Sequence, residues 1–166
     1  MNRVDVPFAG DERSMVLGWL DWHRETVHAK CAGLAEEDAW RTPLPASPLT
    51  SAAGLVSHLT AVESYWFERV VAGLDVPVPW SAGDTDADWR RAPGATLAGN
   101  LDRYRRQCDV SRALMRDVDL DGTAAAPRRG EPVAVRWVLL HMIEETARHN
   151  GHLDAVRELV DGVVGE

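Results

Sequence analysis

Lysine is almost missing from this sequence: Lys30 stands alone, and every other basic side chain among the 18 Lys and Arg residues is arginine. Positive charge is itself in deficit, with 18 Lys and Arg against 26 Asp and Glu and a net charge of −8. That balance excludes the broad positive field on which nonspecific nucleic-acid binding depends. The one basic cluster, Arg103, Arg105 and Arg106 with Arg112 and Arg116 beyond, alternates with acids as a solvated helix face does. Cysteine is scarce as well. Cys31 and Cys108 fit neither a zinc nor a redox spacing and are too few for a secreted disulfide scaffold, so two half-buried thiols are expected. No apolar run is long enough for a membrane span, because Arg, His or Asp breaks each within a few residues. The opening stretch MNRVDVPFAGDERS has acids and proline where a signal peptide needs a continuous apolar core, and a cytoplasmic protein is expected. Strand-like alternation, internal repeats and low-complexity tracts are absent too.

What is present is helical punctuation. A first helix is predicted from about Asp11, its N-cap, to Gly33, with Val16, Leu20, Val27, Cys31 and Leu34 supplying an apolar stripe. EEDAW reads as one short turn, and the prolines of RTPLPASP stop any helix there. A second helix is predicted after Pro48, capped by Thr50 or Ser51 and ending at Gly73, with Leu55, Leu59, Val62, Trp66 and Val70 facing inward and His58 beside them. Residues 74–95 read as a long connection lying across the bundle, held down by Trp80 and Trp89. A crossover of that length frees its two flanking helices from being simple hairpin neighbours. The third helix is predicted from near Thr96 to about Val118, with Leu97, Leu101, Tyr104, Cys108 and Leu114 facing in. The fourth opens after Pro132 and reaches about Val160, with Asp161 and Gly162 as its stop signal. The fold class expected is all-α, a four-helix bundle forming one domain over residues 1–166.

The fourth helix breaks its own pattern. In HMIEETARHNGH, at about 100° per residue, His141, Glu145, His149 and His152 fall on one narrow stripe where a bundle helix should show aliphatic side chains. Neighbours one turn apart can share a ligand: His141 with Glu145, Glu145 with His149, or His149 with His152. All four cannot, since the stripe is about 16 Å long at 1.5 Å per residue. One such pair supplies two donors to a metal ion and a third must come from another helix, where His23, His28 and His58 are available. His58, bordering the apolar stripe of the second helix, is the strongest of the three. Two imidazoles and a carboxylate with open coordination positions make up the donor set of several catalytic zinc centres.

SAAGLVSHLTAVESYWFERVVAG together with RWVLLHMIEETARHNGHLDAVRELVDG resembles the DinB-like (YfiT-like) superfamily of metal-dependent hydrolases and thiol S-transferases. The likeness is greatest to its single-domain actinobacterial members, the mini-circle type, which are related to the N-terminal domain of mycothiol-dependent maleylpyruvate isomerase. It covers essentially the whole chain and matches the helix order above. The resemblance implies a divalent metal, zinc or nickel, held by His58, Glu145 and His149. His152 takes the place of a glutamine common in the superfamily, and His152 and His141 then line the pocket, as proton shuttles or as hydrogen-bond partners of the ligands. The further domain of maleylpyruvate isomerase has no counterpart in these motifs, so its substrate is not carried over.

The function so implied is transfer of a low-molecular-weight thiol of mycothiol type to an electrophile. A metal ion favours the thiolate, so the protein needs no cysteine of its own for this. Arg128 and Arg129, just before the fourth helix, are placed to bind a carboxylate or phosphate of the cofactor. The alternatives are a hydrolase using metal-bound water and a non-catalytic, stress-associated metal-binding protein. Neither nucleic acid nor membrane is expected as a partner. Trp19 and Trp22, three residues apart, form an aromatic patch suited to a homodimer interface.

Overall fold

The computed structural model describes residues 3–165. It is all-α, with four long helices and one short one: α1 (Glu12–Cys31), α2 (Glu36–Ala39), α3 (Ala52–Glu63, continued as a π-helix over Ser64–Val71), α4 (Leu97–Met115) and α5 (Val135–Asp161). The caps are those the sequence signals. Asp11 accepts from the Ser14 amide (3.0 Å), Ser51 rather than Thr50 accepts from Gly54 (3.1 Å), and Thr96 accepts from Gly99 (3.1 Å). Gly162, left-handed at φ 76, closes α5 with its N–H on the Arg157 carbonyl.

α1 ends at Cys31, two residues short of Gly33, and three further boundaries differ from expectation, each for a tertiary reason. The second helix ends at Val71, two residues short of Gly73, after widening its hydrogen bonding, so that the Ala72 N–H returns to the Phe67 carbonyl five residues back (3.0 Å). α4 stops at Met115 rather than Val118 because Arg13 takes the carbonyls there: its guanidinium donates to Met115 (2.8 Å) and to Val118. α5 begins at Val135, three residues beyond Pro132, because the preceding backbone is extended. There the Ala124 N–H donates to the Val133 carbonyl (2.8 Å) and the Val135 N–H to that of Gly122 (3.0 Å).

Cross-helix partners give the directions. Along α1 and α5, Glu12 meets Arg136 (2.6 Å), the His23 carbonyl meets the Asn150 amide (3.0 Å), and Lys30 meets Asp154, so these two run parallel. α3 and α4 are parallel as well: the Asn100 amide donates to the Ala53 carbonyl (2.9 Å) and that of Gln107 to Glu68 (2.8 Å). α1 opposes α4 through Asp21 and Arg112 (2.9 Å), and α3 opposes α5 through the Trp66 and His141 rings. The order is therefore up, down, down, up. Parallel α3 and α4 oblige residues 74–95 to travel back along the bundle, as expected of that segment. Trp80 lies edge-on to Tyr65 (5.7 Å), and Trp89 stacks on His58 (4.3 Å).

The core has two apolar layers. One gathers Leu20, Phe67, Met115, Leu139 and Met142; the other gathers Val27, Leu55, Leu59, Tyr104 and Leu153. Between them lies a polar layer with one buried side chain from each long helix: Arg24 (3% exposed), Glu63, Ser111 and Thr146 (each 0%). Arg24 grips Glu63 with two bonds, Nε to Oε1 at 2.8 Å and Nη2 to Oε2 at 2.6 Å. Burial alone would lower the Arg24 pKa, but the Glu63 carboxylate holds it above its ordinary value. The cysteines correct the expectation of half-buried thiols. Both lie fully inside the second apolar layer, and burial raises both thiol pKa values, that of Cys31 to about 12. Among the described residues no helix is long and apolar enough to cross a membrane.

Candidate metal centre

At the height of the polar layer, α3 and α5 bring three of the residues singled out from the sequence to one point. His58 Nε2 lies 3.2 Å from Glu145 Oε1, and His149 Nε2 lies 3.2 Å from the same oxygen. The donor atoms of all three fall within 4.8 Å of one another. Glu145 and His149 converge because they are one α-helical turn apart; His58 arrives because antiparallel α3 passes α5 at this level. His149 is buried, and His58 and Glu145 are partly so.

The proton positions follow from the partners. His58 Nδ1 faces Asp88 Oδ2 at 2.7 Å, and Asp88 is itself buried. A carboxylate there requires the proton on Nδ1, which leaves the Nε2 lone pair of a neutral ring aimed at a second carboxylate, Glu145. Two lone pairs cannot face each other unopposed. Either His58 is an imidazolium, or a cation sits between them. Without a metal the surroundings favour the first solution: burial lowers the His58 pKa, but hydrogen bonds to Asp88 and then Glu145 outweigh it and raise it. Glu145 is held far below the usual carboxylate range by His149 first and His58 second, against burial. With a divalent ion, both pairs that share Glu145 Oε1 have a fitting separation. Zinc distances near 2.1 Å place tetrahedral donor pairs about 3.4 Å apart, close to the 3.2 Å separations here. Asp88 on the far ring nitrogen is then the partner that commonly fixes the tautomer of a ligating histidine.

The other candidates fall outside this cluster. His152 is exposed at its rim, its Nδ1 3.1 Å from His149 Nδ1, and burial and then the His149 charge lower its pKa. His141, one turn before Glu145, stacks on Trp137 (5.1 Å) and meets Trp66 edge-on (4.9 Å). His23 packs against Trp19 and Trp22 on the α1 face, and His28 lies against Tyr104, so neither approaches the cluster. Arg128 and Arg129 do not share one role. The Arg128 guanidinium lies over Tyr65 and Trp66, whereas Arg129, at φ 54, forms an exposed turn with Gly130.

Asp88 was not picked out from the sequence. It sits thirty residues from His58 in the crossover, and nothing in DTDADW separates it from the neighbouring acids. Gly54 is what admits it. A Cβ at Gly54 would lie 2.8 Å from the Trp89 carbonyl, so only glycine lets the short 3₁₀ turn Ala87–Trp89 settle against α3 with Asp88 and Trp89 on His58.

Residues 15–162 match the family model described as mycothiol-S-transferase. The chain belongs to that family. Membership agrees with the DinB-like resemblance carried by the two sequence motifs. No curated protein matches the chain. Among solved structures it is similar to a conserved protein from Enterococcus faecalis, with 18% identity, 93% of this chain and 100% of the other covered, and a TM-score of 0.67. At that identity the likeness speaks for the fold alone. Within the mycothiol-S-transferase match fall the three candidate donors His58, Glu145 and His149, and Asp88 behind His58, all inside residues 15–162.

Proposed function

We propose that this protein is a divalent-metal-dependent S-transferase that joins a low-molecular-weight thiol of mycothiol type to an electrophile. The observation that carries the reading is the convergence of two imidazole nitrogens on one carboxylate oxygen, with Asp88 fixing the proton on the far side of His58. His58, Glu145 and His149 would hold the metal, zinc or nickel, through Nε2, Oε1 and Nε2. When bound, such an ion stabilises a thiolate at neutral pH. Glu145 and Asp88 offset the cation's charge. Trp89 covers the His58 ring and keeps water from that side. With Nε2 on the metal, His149 would carry its proton on Nδ1 and donate it to His152 Nδ1, 3.1 Å away, which would orient the His149 ring. Being exposed, His152 also has access to solvent for the proton that the thiol releases. His141, with a ring nitrogen within 4.8 Å of Glu145, stands on the opposite flank as the second proton carrier. In the transfer the S–H bond breaks and its proton leaves through one of these imidazoles, while the thiolate forms a new S–C bond at the electrophilic carbon. That carbon gives up either a leaving group with its electron pair or the electron pair of a double bond, protonated in turn at the neighbouring atom.

The test measures turnover of metal-loaded protein against a panel of electrophiles, with and without mycothiol. Reaction that requires both metal and thiol is the expected result. Metal-dependent turnover without any thiol would replace this reading with a hydrolase, and no turnover with metal bound would leave a binding protein.

A further inference from the structure

The two imidazole donors have soft ring planes. Rotation about Cβ–Cγ of a histidine is a broad, roughly two-fold torsion, and turning it swings Nε2, the atom each ring offers to Glu145. A hydrogen bond at Nδ1 restrains that swing from one edge only. His58 has such a bond to buried Asp88, whereas the Nδ1 neighbour of His149 is the exposed His152.

One side chain touches both rings. Trp89 stacks on His58, with centroids 4.3 Å apart and planes at 22°, and it meets His149 at 5.6 Å and 65°. The His58 and His149 rings meet each other at 4.9 Å and 76°, which closes a triangle of three rings. Stacked and inclined contacts of this kind are how aromatic rings pack, so neither imidazole can turn without pushing on the indole. The indole itself is anchored. Its backbone lies against Gly54 of α3, and its N–H donates to the Asp86 carbonyl (3.2 Å). Trp89 is also a partition. With Ser47, Thr50 and Asp86 it lines a cavity of about 350 Å³ whose walls include none of the three donors. Ser47 and Asp86 are exposed, so this cavity is open to solvent, while buried His149 and half-buried His58 stand behind the indole.

We infer that Trp89 is the positioning residue of the metal centre: it fixes the planes of both imidazole donors and keeps water of the neighbouring cavity away from the metal. Asp88 and Trp89, consecutive in one 3₁₀ turn, thus hold His58 by its edge and by its face. With water shut out on the indole's side, the metal keeps few ligands besides the three from the protein, as a catalytic centre with an open position requires. The role rests on the metal-centre part of the proposed function and not on the identity of thiol or electrophile.

Cobalt(II) is the probe, titrated into chelator-treated protein, because its visible bands are strong with four ligands and weak with five or six. The unmodified protein should bind one equivalent with strong bands. Trp89→Ala should still bind an equivalent, with bands weakened about threefold as water joins the metal and with affinity about tenfold lower, the range for losing a neighbour that orients a ligating histidine. Trp89→Phe restores a flat ring and should recover most of both. Trp89→Leu, which fills more of the space without a flat ring, should fall between and serves where the alanine variant is unstable. Trp80→Ala controls for packing of the crossover as such: it removes the contact with Tyr65 (5.7 Å), which involves neither imidazole. Its cobalt spectrum should match that of the unmodified protein even where its Tm falls. Strong bands retained in both Trp89→Ala and Trp89→Leu overturn the inference, as does an equal loss in Trp80→Ala. Weak bands in the unmodified protein overturn it too. Unmodified protein that takes up no cobalt sinks the metal centre and this role together. Turnover is not read, so failure of thiol transfer alone would leave the role of Trp89 standing.

Discussion

Each donor around Glu145 is held by a different kind of neighbour, and substitutions should separate them. His149→Ala removes one of three donors and leaves Glu145 and His58 facing each other, so metal content per chain, measured after identical purification, should fall close to zero. His152→Gln keeps a side chain that can accept from His149 Nδ1 and should leave metal content unchanged. If His152→Ala empties the site while Glu145→Ala does not, the donor pair is His149 with His152 and the assignment fails. Asp88→Ala acts at one remove. It frees the His58 ring to choose its tautomer, and metal affinity should drop about 10- to 100-fold, the usual cost of losing such a partner. A competition titration with a chromogenic chelator reads this directly, and unchanged affinity would show that Asp88 has no hold on the site.

Two glycines on neighbouring elements make opposite predictions. At Gly54 of α3 an added methyl would collide with the Trp89 carbonyl and with Ser51 Oγ (2.9 Å). Gly54→Ala should therefore destabilise the fold by about 1–3 kcal/mol, the range for overpacking, and also weaken metal binding by displacing Asp88. Gly151 of α5 has nothing within 4 Å. Gly151→Ala should stabilise by about 0.5–1 kcal/mol, because helical glycine is entropically costly, with metal binding intact. Thermal melts with metal analysis on both variants check the pair; equal effects on metal would contradict the placement of the 3₁₀ turn. The helices themselves were legible from Pro, Gly and capping residues, and the donor stripe from four polar residues on an apolar face. Asp88 was not, because its partner is set by how the crossover docks and not by any spacing. The π-helix was hidden for a similar reason: its widened bonding accompanies the docking of Ala125 and Ala126 on its final carbonyls. Arg24 and Glu63 do leave a signal in the sequence. Each stands between apolar stripe residues, Arg24 between Leu20 and Val27, and Glu63 beside Val62 and before Trp66. Charges in such positions announce a buried pair.

For the molecule as a whole, the cluster ties stability to pH in opposite ways with and without metal. In the metal-free protein the lowered Glu145 pKa adds stability that is present above its unfolded value, about 4.3, and is lost as pH falls toward the folded one. The raised His58 pKa adds stability that is present below about 6.5 and is lost as pH rises through the folded value. These two groups together favour the metal-free fold most between about pH 4.5 and 6.5. Metal binding needs deprotonated imidazoles and so gains with rising pH. The Tm difference between metal-loaded and chelator-treated protein should widen from pH 6 to pH 8, and a constant or shrinking gap would contradict a site built on His58. The polar layer in which this chemistry sits has a mechanical consequence as well. Leucines and valines in a bundle tolerate a helix sliding along its neighbours, since one aliphatic contact can stand in for the next. The Arg24–Glu63 clasp does not: a slip of one turn, about 5.4 Å, would strand two buried charges, and breaking such a pair costs about 3–5 kcal/mol. It thus works as a detent, indexing α1 against α3 near the level at which His58 must meet α5.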